Sequence, residues 1–339
     1  MSTARDLVRL LADPSGAEGV GDWTSLLAAA RAESLAGSLA FRLEGRKVPP
    51  EVEAILAAAR RDAVQGRVQA LWEAEMARRA LAPLGLPVIL LKGTAYAAAG
   101  LPAAIGRSIG DLDILVPRAA MPEVEAVLLA HGWEWAKEDA YDDLYYRRWM
   151  HELPPLIHKE RDRMIDVHHT ILPLTARRTP DAAALIEASL PLGNGLSLLA
   201  PADMIVHAAT HLFADGDLAG GLRNLWDIDR LLRAFAAIPD FWPMLDERAA
   251  RHQMRAPVLR AGRLANDLYG TPVPESWRVR DGADPLFRAR LLARDGWGRA
   301  TRPALRFGFY LRSHALRMPP LMLARHLWTK ARKGQGPQA

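Results

Sequence analysis

The chain has 339 residues, of which 50% are hydrophobic and 24% are charged, so it is long enough to bury a sizeable core. It contains no cysteine, which excludes disulfides, thiolate catalysis and every cysteine-ligated zinc or iron–sulfur site. No stretch reaches the roughly 18 uninterrupted apolar residues of a membrane span, and the N-terminus lacks the apolar segment of a signal peptide. These features favour a cytoplasmic protein.

The net charge of +5 is concentrated in the tail, residues 302–339, which contains eight Lys or Arg residues and no acid. Aromatic and aliphatic residues alternate with these cations. The pattern is typical of helices that pack on the protein body, or of a segment that binds an anionic membrane surface, a nucleic acid or an acidic peptide. We expect a terminal helix pair that packs on the body and leaves its arginines in solvent.

Residues 1–82 are predicted to form helices, because apolar residues recur three and four positions apart among Ala, Arg and Glu. The pattern then predicts a strand at 88–91, a short helix from residue 94, a strand at 111–116 and a helix at 121–131. Three strand candidates follow at 144–150, 153–159 and 164–171. The last two are predicted to form a hairpin, and Pro154 and Pro155 would confine the first strand of that hairpin to a sheet edge.

Helical patterns return at residue 201 and continue into the tail. This order predicts an α+β fold, with a small mixed β-sheet flanked by helical regions on both sides. We expect an N-terminal helical region at residues 1–84, a core at 85–175 that carries the sheet and the chemistry, and a C-terminal helical region with the basic tail at 176–339.

Two acids lie one residue apart in the predicted strand Asp-Leu-Asp-Ile-Leu-Val. Because side chains alternate between the faces of a strand, Asp111 and Asp113 share one face while the apolar residues share the other. Two neighbouring carboxylates repel each other, and a divalent cation such as Mg²⁺ removes that conflict. We therefore predict that both aspartates bind metal.

A third acid, Asp166, lies between apolar residues in the strand at 164–171. If the two strands are neighbours, the three carboxylates can hold two Mg²⁺ ions about 4 Å apart, an arrangement that assists in-line transfer at phosphorus. The alternative is that Asp166 pairs with Arg161 or Arg163 at the hairpin.

A phosphate-binding turn is predicted after the first strand. Gly93 and Thr94 would supply backbone N–H groups, a hydroxyl and a helix N-terminus, while Lys92 and Arg107 would add positive charge. This turn is not a Walker A loop, because the chain has no GxxxxGK[ST] sequence. Ser108 completes the predicted nucleotide-binding residues of this region.

Two pairs of histidines, at positions 168/169 and 207/211, have spacings that suggest a metal site. His168 shares a strand face with Asp166, so we predict that it contacts the nucleotide or orients Asp166, whereas His169 faces the opposite side. His207 and His211 are four residues apart on a predicted helix but lack the Glu of an HExxH motif, so packing is the expected role. Arg223 and Asp227 have the spacing of a helix ion pair.

The segment from Leu90 to Trp133, followed by Met-Ile-Asp-Val-His-His, resembles the DNA-polymerase-beta-like nucleotidyltransferase superfamily, and within it the uncharacterised nucleotidyltransferases. The likeness covers residues 85–235 well. It implies that the turn, the acid pair and the third acid match the family's glycine turn, acid-x-acid pair and later acid. The family's Lys, Arg and His positions would correspond to Lys92, Arg107 and His168.

The resemblance implies a Mg²⁺-dependent nucleotidyltransferase with two metal ions bound by Asp111, Asp113 and Asp166. The donor would be an NTP, with ATP expected, and the acceptor a peptide, a protein or a small molecule. Two other hypotheses stay open. One is a regulatory module that binds a nucleotide without turnover, and the other is an enzyme that acts on RNA or DNA and uses the basic tail to hold the backbone.

Overall fold

A mixed sheet of seven strands forms the centre of the computed structural model, which describes residues 3–137, 140–214, 217–279, 281–319 and 323. The strands follow the spatial order β3-β4-β5-β2-β1-β7-β6. They are β1 (Val88–Leu90), β2 (Leu112–Leu115), β3 (Trp133–Trp135), β4 (Leu156–His158), β5 (Met164–His168), β6 (Leu190–Pro191) and β7 (Leu196–Leu198).

Fourteen α-helices are found in the described part of the chain, before, between and after the strands. They are α1 (Thr3–Ala12), α2 (Trp23–Ala32), α3 (Ala36–Arg42), α4 (Pro50–Leu81), α5 (Lys92–Ala98), α6 (Met121–Ala130), α7 (Ala140–Trp149), α8 (Ala182–Glu187), α9 (Pro201–Ala214), α10 (Gly221–Phe235), α11 (Phe241–Arg251), α12 (Arg255–Tyr269), α13 (Asp284–Leu291) and α14 (Pro303–Arg317). The predicted α+β fold, with helical regions on both sides of the sheet, is confirmed.

Local sequence signals account for several of these elements. Helix α4 begins at Pro50, whose fixed φ suits the first turn, and α2 begins after Asp22, whose carboxylate accepts the Ser25 N–H at 2.9 Å. Helix α6 ends before Gly132, which has a φ of +94°. Strands β1, β2, β4 and β5 lie where the sequence predicted them.

The strand predicted at 144–150 is wrong, because these residues lie in and just after helix α7. Side chains four positions apart contact each other there, as they do in a helix. Tyr145 contacts Trp149, four positions later, with ring centroids 5.7 Å apart, and Asp143 pairs with Arg147 at 2.8 Å. A run of aromatic residues favours a strand by composition, but these i,i+4 contacts stabilise a helix.

Strand β4 is not at a sheet edge, contrary to the prediction drawn from its prolines. Pro154 and Pro155 precede the strand, which begins at Leu156, so neither proline removes a hydrogen bond from the ladder. Strand β3 pairs antiparallel with the outer side of β4. On the opposite half of the sheet, β6 and β7 come from residues after 175, and β7 pairs in parallel with β1.

The pairing of β2 with β5 is the feature that positions the polar residues. The two strands are parallel, and Asp113 lies opposite Asp166. Strand β5 also forms the predicted antiparallel hairpin with β4, while β2 pairs antiparallel with β1. Because β2 and β5 are both inner strands, their backbone positions are held from two sides.

The basic tail is described only in part. Helix α14 packs near α9: Arg306 pairs with Asp217 at 2.6 Å, and Arg312 donates to the Phe213 carbonyl at 2.8 Å. The expected packing of the tail on the body therefore holds for α14. The expectation that its arginines lie in solvent is wrong for these two, because they contact the protein body. Four of the eight basic residues of the tail, Arg325, Lys330, Arg332 and Lys333, lie outside the described residues. None of the helices that the structure describes is long and apolar enough to cross a membrane.

Two glycines bring helix α3 into contact with the loop that leads to β2. A Cβ on Gly106 would lie 2.4 Å from the Gly37 carbonyl carbon and oxygen, and Gly106 has a φ of +69°. Both the left-handed backbone and the close approach therefore require glycine at position 106. This contact fixes the loop that carries Arg107 and Ser108.

Replacing Gly106 with alanine should lower the free energy of unfolding by about 2–4 kcal/mol, because the new Cβ meets backbone atoms and adopts a disfavoured φ. Equilibrium denaturant unfolding would measure this change. Gly110→Ala is the matched control, since an added Cβ there meets nothing within 4 Å. Equal effects of the two substitutions would contradict the assignment.

Candidate active site

Three carboxylates converge at the adjoining strands β2 and β5. Asp113 lies in β2, Asp166 in β5, and Asp111 immediately before β2. One carboxylate oxygen from each residue lies within 4.8 Å of the other two. Asp111 is exposed, Asp113 is buried and Asp166 is intermediate, so the cluster opens to solvent on the side of Asp111. The structure therefore brings together the three acids that the sequence singled out.

Asp113 is held by Lys92 and His168. Its Oδ1 accepts a hydrogen bond from Lys92 Nζ at 2.6 Å and lies 3.0 Å from His168 Nε2. Burial alone would raise the pKa of Asp113, but the charge of Lys92 and the hydrogen bond to His168 hold that pKa well below its usual range. Asp113 is thus ionised, and both contacts are made to the same oxygen.

Asp166 has a different environment. Its Oδ1 is buried without a hydrogen-bond partner, and burial, together with the charges of Asp113 and Glu152, raises its pKa to about 7. The alternative ion pairs at the hairpin are not formed: Arg161 pairs with Glu73 at 2.9 Å, and Arg163 donates to the Ile109 carbonyl at 3.3 Å.

A bound divalent cation fits this set of ligands. The three residues offer hard oxygen donors, which suit Mg²⁺, and the unpartnered oxygen of Asp166 would gain a ligand bond in place of a missing hydrogen bond. Of the three aspartates, only Asp113 is in contact with Lys92 and His168, so the charges of the other two would be compensated by a bound cation.

The predicted phosphate turn lies next to these acids. Helix α5 begins at Lys92, which has a φ of +47°, and the preceding Leu91 N–H donates to the Asp113 carbonyl at 3.0 Å. Thr94 is 1% exposed, and its Oγ1 has no hydrogen-bond partner. A buried hydroxyl without a partner is a candidate for a ligand contact.

Arg107 lies directly against Gly93. A Cβ added to Gly93 would come 1.7 Å from Arg107 Nη1, and the Arg107 guanidinium pairs with Asp227 at 3.0 Å. Asp227 also makes the predicted helix ion pair with Arg223, at 3.1 Å. The phosphate contact expected of Arg107 stays a prediction. The contacts give the guanidinium a supporting position beneath the glycine turn.

The remaining predicted residues surround this centre. Ser108 is exposed, and its carbonyl accepts a hydrogen bond from Arg223 Nη2 at 3.4 Å. His168 contacts Asp113 rather than orienting Asp166, and His169 faces away, with Nε2 3.3 Å from the Met150 carbonyl. His207 is buried, and among the described residues neither it nor His211 belongs to a group of three or more potential metal ligands, so their packing role stays a prediction.

Two neighbouring residues were missed by sequence reasoning. Glu152 Oε2 lies 3.3 Å from His168 Nδ1, and His151 Nε2 lies 3.6 Å from the same carboxylate oxygen. They follow α7, which was mistaken for a strand, so the sequence pattern gave no reason to place them beside β5. The adjacent His-Glu pair was the signal available.

The raised pKa of Asp166 predicts how the stability of the metal-free protein depends on pH. A carboxyl whose folded-state pKa is raised stabilises the fold at low pH, and this contribution is lost as pH rises through about 7. In a chelator, wild type should therefore lose about 1–3 kcal/mol of unfolding free energy between pH 5 and pH 8 relative to Asp166→Asn. Denaturant unfolding of both proteins at both pH values measures this loss. If the gap in unfolding free energy between wild type and Asp166→Asn is the same at pH 5 and pH 8, the assignment is contradicted.

The comparisons with known proteins agree with this geometry. A model of the uncharacterised nucleotidyltransferase family matches residues 20–270, which include the whole sheet and the three acids. No curated protein matches the chain. Since the matched region covers well over half of the sequence, the chain belongs to the uncharacterised nucleotidyltransferase family.

Proposed function

We propose that the chain transfers a nucleoside monophosphate from an NTP, expected to be ATP, to a hydroxyl-type acceptor with release of pyrophosphate. The observation that carries this proposal is the convergence of Asp111, Asp113 and Asp166 within 4.8 Å in a nucleotidyltransferase family member. Three oxygen donors at this spacing suit Mg²⁺.

The three carboxylates would hold two Mg²⁺ ions. Bound magnesium would neutralise phosphate charge and make the acceptor hydroxyl easier to deprotonate. Asp113 supports this role because its low pKa keeps it ionised, and because Lys92 and His168 both contact Oδ1 and leave Oδ2 to face a cation. Asp111 supports it through its exposure to solvent, from which ions and nucleotide would enter.

The residues around the turn would hold the triphosphate. Thr94 offers a buried hydroxyl without a partner, and Lys92 offers an ammonium group beside the acids. Gly93 would contribute its backbone N–H, because Arg107 occupies the space that a side chain would need, and Ser108 is exposed to an incoming ligand. Arg107 would support the turn beneath Gly93, and it would reach a phosphate only by leaving Asp227.

The proposed reaction forms one phosphorus–oxygen bond and breaks another. The acceptor oxygen attacks the α-phosphorus, the bond from that phosphorus to the bridging oxygen breaks, and pyrophosphate leaves with the bond electrons. Asp166, as the third carboxylate of the cluster, would accept the acceptor proton, which bound Mg²⁺ would make easier to remove.

A cavity of about 280 Å³ beside the loop that carries Arg107 and Ser108 supports an acceptor site. It lies between the loop before β2 and helices α2, α3 and α4, and its polar lining residues include Arg31, Asp62 and Ser108. A peptide, a protein side chain or a small molecule would fit this mixed lining. An RNA or DNA acceptor is less favoured, because Arg306 and Arg312 of the tail already contact the protein body.

Incubation with α-labelled NTPs, Mg²⁺ and a panel of acceptors should yield labelled product and pyrophosphate. Asp111→Asn and Asp166→Asn should each lower the rate by at least about 100-fold, because each removes a metal ligand. Nucleotide that is bound but not consumed with any acceptor would instead support the regulatory module.

Asp162→Asn is the matched control for these variants. Asp162 is an exposed acid in the hairpin before β5, and its φ of +52° is a conformation that asparagine tolerates. The substitution removes the same charge close to the site and should leave the rate within about twofold. An equal loss in the control would show that overall charge, not ligation, governs the rate.

The cytoplasmic location stays a prediction.

A further inference from the structure

A second group of metal-ligand side chains lies beside the three aspartates. One nitrogen of His151, one carboxylate oxygen of Glu152 and one nitrogen of His168 lie within 4.8 Å of one another. We propose that these three residues form a separate binding site for a transition-metal cation of the Zn²⁺ class. The site would differ in chemistry from the carboxylate cluster, because imidazole nitrogen suits Zn²⁺, whereas oxygen donors alone suit Mg²⁺.

Two of the three separations between ligand atoms match a tetrahedral metal, and the third lies within 4.8 Å. Zinc bonds of about 2.0–2.1 Å to nitrogen or oxygen place two ligand atoms about 3.3 Å apart. Glu152 Oε2 lies 3.3 Å from His168 Nδ1 and 3.6 Å from His151 Nε2. Two imidazoles and one carboxylate are also a ligand set found in zinc sites that keep a fourth position open.

The backbone holds the three residues in this arrangement. Glu152 forms an antiparallel bridge opposite His168, and the flanking hydrogen bonds run from Leu153 N to Val167 O and from His169 N to His151 O, both at 2.9 Å. Directly opposed residues of an antiparallel pair share one face, so Glu152 and His168 are brought together by the register of the strands.

His151 would supply the third ligand through Nε2. This atom lies 3.6 Å from Glu152 Oε2, which is too far for a good hydrogen bond but a suitable separation for two ligands of one metal.

His168 would connect the two groups. Its Nε2 lies 3.0 Å from Asp113 Oδ1, while its Nδ1 faces Glu152. A ligating histidine usually donates its other N–H to a carboxylate, which fixes the ring and strengthens the ligand. In that arrangement Asp113 would support the zinc ligand, and a bound cation would replace the Nδ1 proton of His168.

The test uses the full chain, stripped of metal with a chelator, and Zn²⁺ or Co²⁺ alone as the probe. With Mg²⁺ in excess to fill the aspartate cluster, calorimetry of wild type should show one equivalent of bound Zn²⁺. Co²⁺ should give the visible absorption of a four-coordinate site with imidazole ligands. Wild type that binds no Zn²⁺ and gives no such absorption would overturn the proposal.

Three variants separate this site from the aspartate cluster. His151→Ala and Glu152→Gln should each weaken Zn²⁺ binding at least about tenfold, since each loses a ligand. Asp111→Asn should keep the wild-type affinity, whether or not it transfers nucleotide, so failure of the proposed function would not be mistaken for failure of this site. Zn²⁺ lost from Asp111→Asn but kept by the other two would assign the ion to the aspartates and overturn the proposal.

Circular dichroism and thermal unfolding in chelator establish that each variant is folded. If His151→Ala does not fold, Glu152→Gln, which keeps the side-chain volume, decides between the outcomes. If neither folds, the wild-type Co²⁺ spectrum decides, because a purely hydrogen-bonded cluster would not produce it.

Discussion

Parallel pairing of β2 with β5 is the constraint on which the candidate site depends. The register sets Asp113 opposite Asp166, so both carboxylates point to the same face. A shift of one residue would turn Asp166 to the other face of the sheet and break up the cluster. The antiparallel neighbours β1 and β4 lie on either side of this pair and hold the register.

Charge compensation at Asp113 connects the acids to the rest of the site. Lys92 comes from the turn after β1 and His168 from β5, and both contact Asp113. Glu152 then contacts the opposite nitrogen of His168. A short chain of ionic contacts therefore runs from the phosphate turn, through the central aspartate, to the segment that follows α7. Asp166 lies beside this series of contacts and has no hydrogen-bond partner for Oδ1, which leaves it as the group best suited to accept a cation.

The central elements could be predicted because each is encoded by residues that are close together in the sequence. Alternation in β2 placed two acids on one face, the apolar run identified β1, and the polar turn identified the β4–β5 hairpin. Local patterns failed where long-range or mixed signals decide the outcome. Aromatic residues suggested a strand at α7, and the strands β6 and β7 are short. The pair between Arg107 and Asp227 joins residues 120 positions apart, which no spacing rule reveals.

The role of the glycine turn shows the same limit. The sequence indicated why Gly93 suits a close approach of phosphate, but the structure shows Arg107 packed against its Cα. Glycine is therefore required at position 93 because a side chain would also collide with Arg107. The sequence likewise predicted a nucleotide role for His168 without revealing that Glu152 lies on its other nitrogen.

Calorimetry of ATP binding to wild type and to Asp166→Asn, with Mg²⁺ and with a chelator, tests the central claim most directly. The account predicts that wild type binds ATP with magnesium and loses at least about 100-fold in affinity in the chelator, and that the variant lacks this magnesium dependence. Equal ATP affinity with and without magnesium in wild type, or an unchanged magnesium dependence in Asp166→Asn, would contradict it.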